Sequence, residues 1–175
     1  MELNNRASEQ FKVDGSTLSG YAVVYNTSSN LIHERGKIFN ETIARGAFDA
    51  SLNGDIKLYF NHDKKMPLAR TSNKSLRIFN DEKGIRFEAD LPNTTLGNDV
   101  KELLNRGTLT GEMSFGFFEQ EEKWTNNRSK TVTRGALKEL SIVVDAAYQS
   151  THSQLRSQNQ EINNKRVQLS RRKTK

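Results

Sequence analysis

The chain of 175 residues contains no cysteine. That excludes disulfides, thiol catalysis and cysteine-ligated zinc, and it fits a reducing compartment. Histidine is scarce: the three at positions 33, 62 and 152 have no metal-ligand spacing, so neither a metal nor a cofactor is expected. No run approaches the ~18 apolar residues of a membrane span. Residues 1–6 precede no apolar segment, so no secretory signal is expected either. There is no Gly-x-Ser-x-Gly elbow, which argues against a serine hydrolase acting on small esters.

Excess charge is also missing from most of the chain. The net charge is +6, and residues 149–175 supply it, with seven Lys/Arg against one Glu. Residues 1–148 hold 20 basic and 20 acidic side chains. The surface of the folded part is therefore not an electrostatic footprint for nucleic acid, and only the tail could bind one. The composition predicts one domain over residues 1–150 and a basic polar tail over 151–175, disordered or partner-binding.

Within the domain, strands dominate the pattern. Residues 11–14 and 18–25 read as strands, the second apolar on both faces. Residues 26–36 read as a loop in which His33 is exposed. Ala44, Phe48 and Leu52 recur at helical spacing and predict a short helix over 41–52, ended by Asn53-Gly54. Ile56, Leu58 and Phe60 alternate with polar residues as in a strand with one buried face. Residues 76–79 and 85–91 form a hairpin about 80–84. Val100, Leu103 and Leu104 predict a helix over 95–106, capped by Gly107. Residues 111–118 and 137–144 are further strands, and 120–130 reads as a polar hairpin loop. The sum is mainly β: a closed or nearly closed barrel of six to eight strands with two short helices packed outside.

Ser114 sits alone among apolar residues in Gly111-Glu112-Met113-Ser114-Phe115-Gly116-Phe117-Phe118. A buried serine is ordinarily hydrogen-bonded and inert, with Gly116 there to let a neighbour approach closely. The alternative is a nucleophile on a rigid strand, which needs a base and a group to orient that base. His62 falls at the end of the 56–60 strand, on the parity of its buried face. Glu139 is a lone carboxylate in Leu137-Lys138-Glu139-Leu140-Ser141-Ile142-Val143-Val144, on the parity of Ser141 and Val143. Asp63 competes for the same role, but adjacent strand residues point to opposite faces. Backbone N–H groups and Arg134 are candidate oxyanion donors.

Several stretches are similar to one family. They are Gly20-Tyr21-Ala22-Val23-Val24-Tyr25, Arg45-Gly46-Ala47-Phe48, and Leu58-Tyr59-Phe60-Asn61-His62-Asp63 with Pro67-Leu68-Ala69-Arg70. Then come Gly84-Ile85-Arg86-Phe87-Glu88-Ala89, Gly107-Thr108-Leu109 leading to Met113-Ser114-Phe115-Gly116-Phe117, and Leu137-Lys138-Glu139-Leu140-Ser141-Ile142-Val143. In this order, over about residues 18–150, the chain resembles the prohead (head maturation) serine proteases of tailed bacteriophages, related in fold to the herpesvirus assemblin proteases. Two positions depart from the pattern: Ala69 replaces a usual glycine, and Ala146 a common proline.

The resemblance implies that Ser114 is the nucleophile, His62 the general base and Glu139 the orienting acid. The related viral enzymes use a second histidine for that last role, and His152 lies in the tail. It further implies a substrate in the major capsid protein or its scaffolding segment, self-cleavage, and a place inside the assembling prohead in the host cytoplasm. A homo-oligomer remains open. The tail, with Leu155, Ile162 and Leu169 seven apart, could dock on a partner helix. The rival from another class is a non-catalytic β-barrel interaction module whose basic tail binds nucleic acid or an acidic protein.

Overall fold

A computed structural model describes residues 4–8, 11–14, 16–34 and 36–144 of the chain. The expected tail lies outside the described residues, and so do His152 and Ala146. In chain order the strands are β1 (Asn4–Ser8), β2 (Phe11–Asp14), β3 (Thr17–Val24), β4 (Ile32–Glu34), β5 (Lys37–Ile43), β6 (Lys57–Phe60), β7 (Asp63–Arg70), β8 (Leu76–Asn80) and β9 (Gly84–Asp90). Helix α1 (Thr95–Asn105) follows, and then β10 (Met113–Asn126) and β11 (Ser129–Ile142).

The mainly β expectation holds, but the barrel does not. Among the described residues there are eleven strands in two open sheets and a single α-helix. One sheet runs β2-β3-β9-β8, antiparallel throughout. The other runs β1-β10-β11-β5-β4, with β6 added to β11 and β7 added to β6. An alternating apolar pattern reports that a strand has a buried face. It does not report whether the sheet curls to close or packs on a second sheet, because both bury the same residues.

β11 is the spine of the larger sheet. It is antiparallel to β10 along its length. Its other edge takes two parallel partners in turn: β5 beside residues 129–132 and β6 beside residues 139–142. Side chains alternate between faces, so Met113, Phe115, Leu140, Ile142, Leu58 and their neighbours form one core with Leu18, Ala22, Ile85 and Phe87 of the smaller sheet. Phe117 lies 5.1 Å from Phe48 and 5.8 Å from Phe115 between ring centroids. Each such pair contributes about 0.5–1.5 kcal/mol beyond its buried area.

The predicted hairpin at 80–84 is present, fastened by Asp81 Oδ1, which accepts from the backbone N–H of Lys83 and Gly84. The second predicted helix is α1, where Thr94 Oγ1 accepts from Gly97 N–H at 3.2 Å and Gly107 follows the end at φ +69°. The first predicted helix, over 41–52, is absent. Residues 41–43 end β5, Gly46 turns the chain at φ +81°, and only Asp49–Ser51 forms a single 3-10 turn. Ala47 and Phe48 are buried as that helix required, but by docking on β11: Gly135 N–H donates to Ala47 O at 2.8 Å, and Leu137 N–H to Ser51 Oγ at 2.9 Å. Docking on a strand distant in the chain thus replaces the local helix.

Residues 120–130 are not a loop. β10 and β11 continue through them to a two-residue turn at 127–128. This arm has its own small apolar cluster of Ile32, Phe39 and Trp124, and β4 forms inside the expected 26–36 loop to complete it. His33, on β4, is exposed as expected. Beneath the cluster Lys130, 4% exposed, contacts Glu41 at 2.8 Å and Glu119 at 2.5 Å. Burial disfavours the Lys130 cation, but the surrounding carboxylates outweigh that and hold its pKa above the ordinary lysine value.

Candidate active site

Ser114 is placed by register. In β10, Met113, Phe115 and Phe117 face the core, so Ser114 and Gly116 face the other way. Ser114 stands opposite Ser141, and Gly116 opposite Glu139. Across the other edge of β11, Ser141 is level with Tyr59 and Glu139 with Lys57. One sheet face therefore carries Ser114, Ser141 and Glu139 together, all at most 3% exposed. Gly116 has no side chain to occupy the space in front of Glu139.

His62 arrives by a different route from the expected one. Continuing the strand to residue 62 would have turned the imidazole into the core with Leu58 and Phe60. Instead β6 ends at Phe60, Phe60 pairs with Asp63, and Asn61 and His62 form a two-residue hairpin turn. Both have positive φ, 51° and 58°, the signature of a type I′ turn. Asparagine and histidine are among the few non-glycine residues that visit this region readily. The reversal takes His62 off the strand parity and over the face of β11 that carries Glu139. There His62 Nδ1 lies 2.6 Å from Glu139 Oε1. The His62 side chain is 25% exposed and the Glu139 side chain 4%, so the pair joins a reachable imidazole to a buried carboxylate.

Asn61 fixes the turn. Its N–H donates to Ile142 O at 2.8 Å, and its Oδ1 accepts from Val144 N–H at 2.9 Å. The His62 turn is thereby tied to the end of β11, the strand that carries Glu139. In the sequence Asn61 stands out only as part of the family-like stretch 58–63, with no structural role assigned to it. The available signal was a turn-forming asparagine directly after an apolar strand.

The rival acid Asp63 is engaged elsewhere: its Oδ1 accepts from Lys65 N–H at 2.8 Å within β7. Arg134 pairs with Glu121 at 3.3 Å on the exposed arm. It is five residues from Glu139 along β11, roughly 16 Å at strand rise, so it does not reach this face.

Ser114 Oγ and Ser141 Oγ are buried and make no hydrogen bond among the described residues. The inert reading of Ser114, a hydroxyl satisfied by neighbouring backbone, therefore does not describe it. Nor is Ser114 hydrogen-bonded to His62 in this structure. Nucleophile–base hydrogen bonds are often long without substrate and tighten when it binds. With Nδ1 turned to Glu139, Nε2 is the imidazole nitrogen on the other side of the ring, the one that exchanges the proton in serine–histidine–acid arrangements.

Neither a search of curated proteins nor a search of solved structures finds a match to this chain. The family model for the caudovirus prohead serine proteases matches residues 1–166 of the 175. The chain belongs to the caudovirus prohead serine protease family.

Proposed function

We propose that this protein is a serine endopeptidase that cleaves the capsid protein or its scaffolding segment, and itself, during phage head maturation. Ser114, His62 and Glu139 are its nucleophile, base and orienting acid. The observation that carries the assignment is the 2.6 Å contact of His62 Nδ1 with the buried Glu139, on the sheet face that also holds the unsatisfied Ser114 hydroxyl. Family membership supports serine peptidase chemistry in the prohead, and the geometry supports these three residues as its agents.

The steps follow from those roles. His62 Nε2 takes the proton of Ser114 Oγ as the oxygen attacks a peptide carbonyl. The imidazolium that forms is stabilised by Glu139 and returns the proton to the departing amine. Water, deprotonated by the same nitrogen, then attacks the acyl-enzyme and releases Ser114. Backbone N–H groups hold the oxyanion, since Arg134 is too far away. The enzyme acts inside the assembling shell within the host cytoplasm, and residues 151–175 direct it there through the capsid protein.

The test is intact-mass analysis of the parent and Ser114→Ala chains, each incubated alone and with a candidate capsid protein. Discrete truncation by the parent only is the expected result. Truncation by Ser114→Ala as well would sink the assignment.

A further inference from the structure

The triad leaves one buried polar group on its own face unused. Ser141 is 0% exposed, and its Oγ has no hydrogen-bond partner among the described residues. A buried hydroxyl left unsatisfied destabilises a fold, so such groups are rare and call for an explanation. Ser141 is also the cross-strand partner of the other unsatisfied hydroxyl, Ser114. Directly opposed residues in an antiparallel pair have Cβ atoms about 4.5–5.5 Å apart. Staggered rotamers of two serines across that gap can bring their oxygens into hydrogen-bond range with no backbone movement. Two residues before Ser141 on the same strand and face is Glu139, which holds His62.

We infer that Ser141 is a positioning residue for the nucleophile: its Oγ–H donates to Ser114 Oγ when the site is engaged. This rests on the triad reading above. With one lone pair of Ser114 Oγ held by Ser141, the Ser114 O–H turns toward His62 Nε2 and the second lone pair faces the substrate carbonyl. Donation to Ser114 Oγ also draws electron density from its O–H and eases proton transfer to His62. Ser141 keeps its own proton throughout. The fold tolerates an unsatisfied hydroxyl at Ser141 because the reaction uses it, a local sacrifice of stability at a functional site.

The experiment is covalent labelling by a fluorophosphonate probe, with the modified residue located by mass spectrometry. It compares the full-length parent, Ser141→Ala and Ser114→Ala chains, with and without capsid protein, alongside the melting temperature of each. The expected result is labelling of Ser114 in the parent and none in Ser114→Ala. In Ser141→Ala, labelling of Ser114 slows about tenfold at saturating probe, with the half-saturating concentration unchanged. Its melting temperature stays equal or rises, because alanine removes an unsatisfied group. An unchanged rate in Ser141→Ala overturns the role of Ser141 and leaves the triad standing. A slower rate accompanied by a lower melting temperature makes Ser141 structural and overturns it too. Label on Ser141 in place of Ser114 reverses the two assignments, and no serine labelling in the parent overturns the triad itself.

Discussion

His62 and Glu139 lie 77 residues apart in the chain and meet at 2.6 Å. Two backbone features bring them together: the parallel pairing of β6 with residues 139–142 of β11, and the positive-φ turn at Asn61 and His62. Glu139→Gln keeps the shape of the side chain and removes the charge that, in the proposed triad, stabilises an imidazolium. Proteolysis should fall by about 10²–10⁴-fold, less than in His62→Ala, while Asp63→Asn remains near the parent. Rates of capsid-protein truncation measure all three. Parent-like activity of Glu139→Gln would move the orienting role elsewhere.

Asn61→Gly tests the turn apart from its anchor. Glycine accepts the positive φ but loses the Oδ1 contact to Val144 N–H. Stability should fall by about 0.5–1.5 kcal/mol, the ordinary net value of one hydrogen bond, and activity should fall further than that loss accounts for, because one of the ties between the His62 turn and the end of β11 is gone and the imidazole is held less firmly. Chemical denaturation and the truncation assay, run side by side, separate the two effects.

Lys130→Met removes the cation between Glu41 and Glu119 under the β10–β11 arm. Breaking one side of a buried ion pair costs about 3–5 kcal/mol, and converting Glu41 to Leu in the same chain should recover much of it. Urea unfolding of the single and double variants is the measurement. A single variant as stable as the parent would mean that water reaches the cluster.

Gly84→Ala should be destabilising for a reason of space. A Cβ at Gly84 would lie 2.0 Å from Val23 O, a backbone atom in β3 that cannot swing aside. The loss should be at least the 1–3 kcal/mol (roughly) of an overpacked core, read as a lower melting temperature.

Tyr25 gives a pH signature. Burial, and then the nearby Asp49 and Asp81, push its pKa up from 10.0 to about 12. The folded state thus favours the neutral phenol, whose hydroxyl donates to Asn80 Oδ1 at 2.8 Å. Above the unfolded value the unfolded chain ionises first. The contribution is therefore fully present below pH 10 and is lost as pH rises through about 12. The stability difference between the parent and Tyr25→Phe should shift against the parent across that window and stay flat below it.

Local sequence pattern was enough for the strand-rich class, the hairpin about 80–84, helix α1 with its Gly107 end, and the short list containing Ser114, His62 and Glu139. Those are local properties: alternation, turn chemistry, capping, and lone polar residues in apolar strands. The remainder depended on packing between distant segments. Residues 41–52 have helical spacing, yet docking on β11 spends the same apolar residues in a strand end and a 3-10 turn. Strand parity sent His62 into the core, and the turn it shares with Asn61 carried it to Glu139 instead. Ser141 looked like an ordinary strand serine until the β10–β11 register set it opposite Ser114. Register, sheet closure and cross-strand partners depend on contacts between residues far apart in the chain. No local pattern records them, because many pairings bury the same apolar faces equally well.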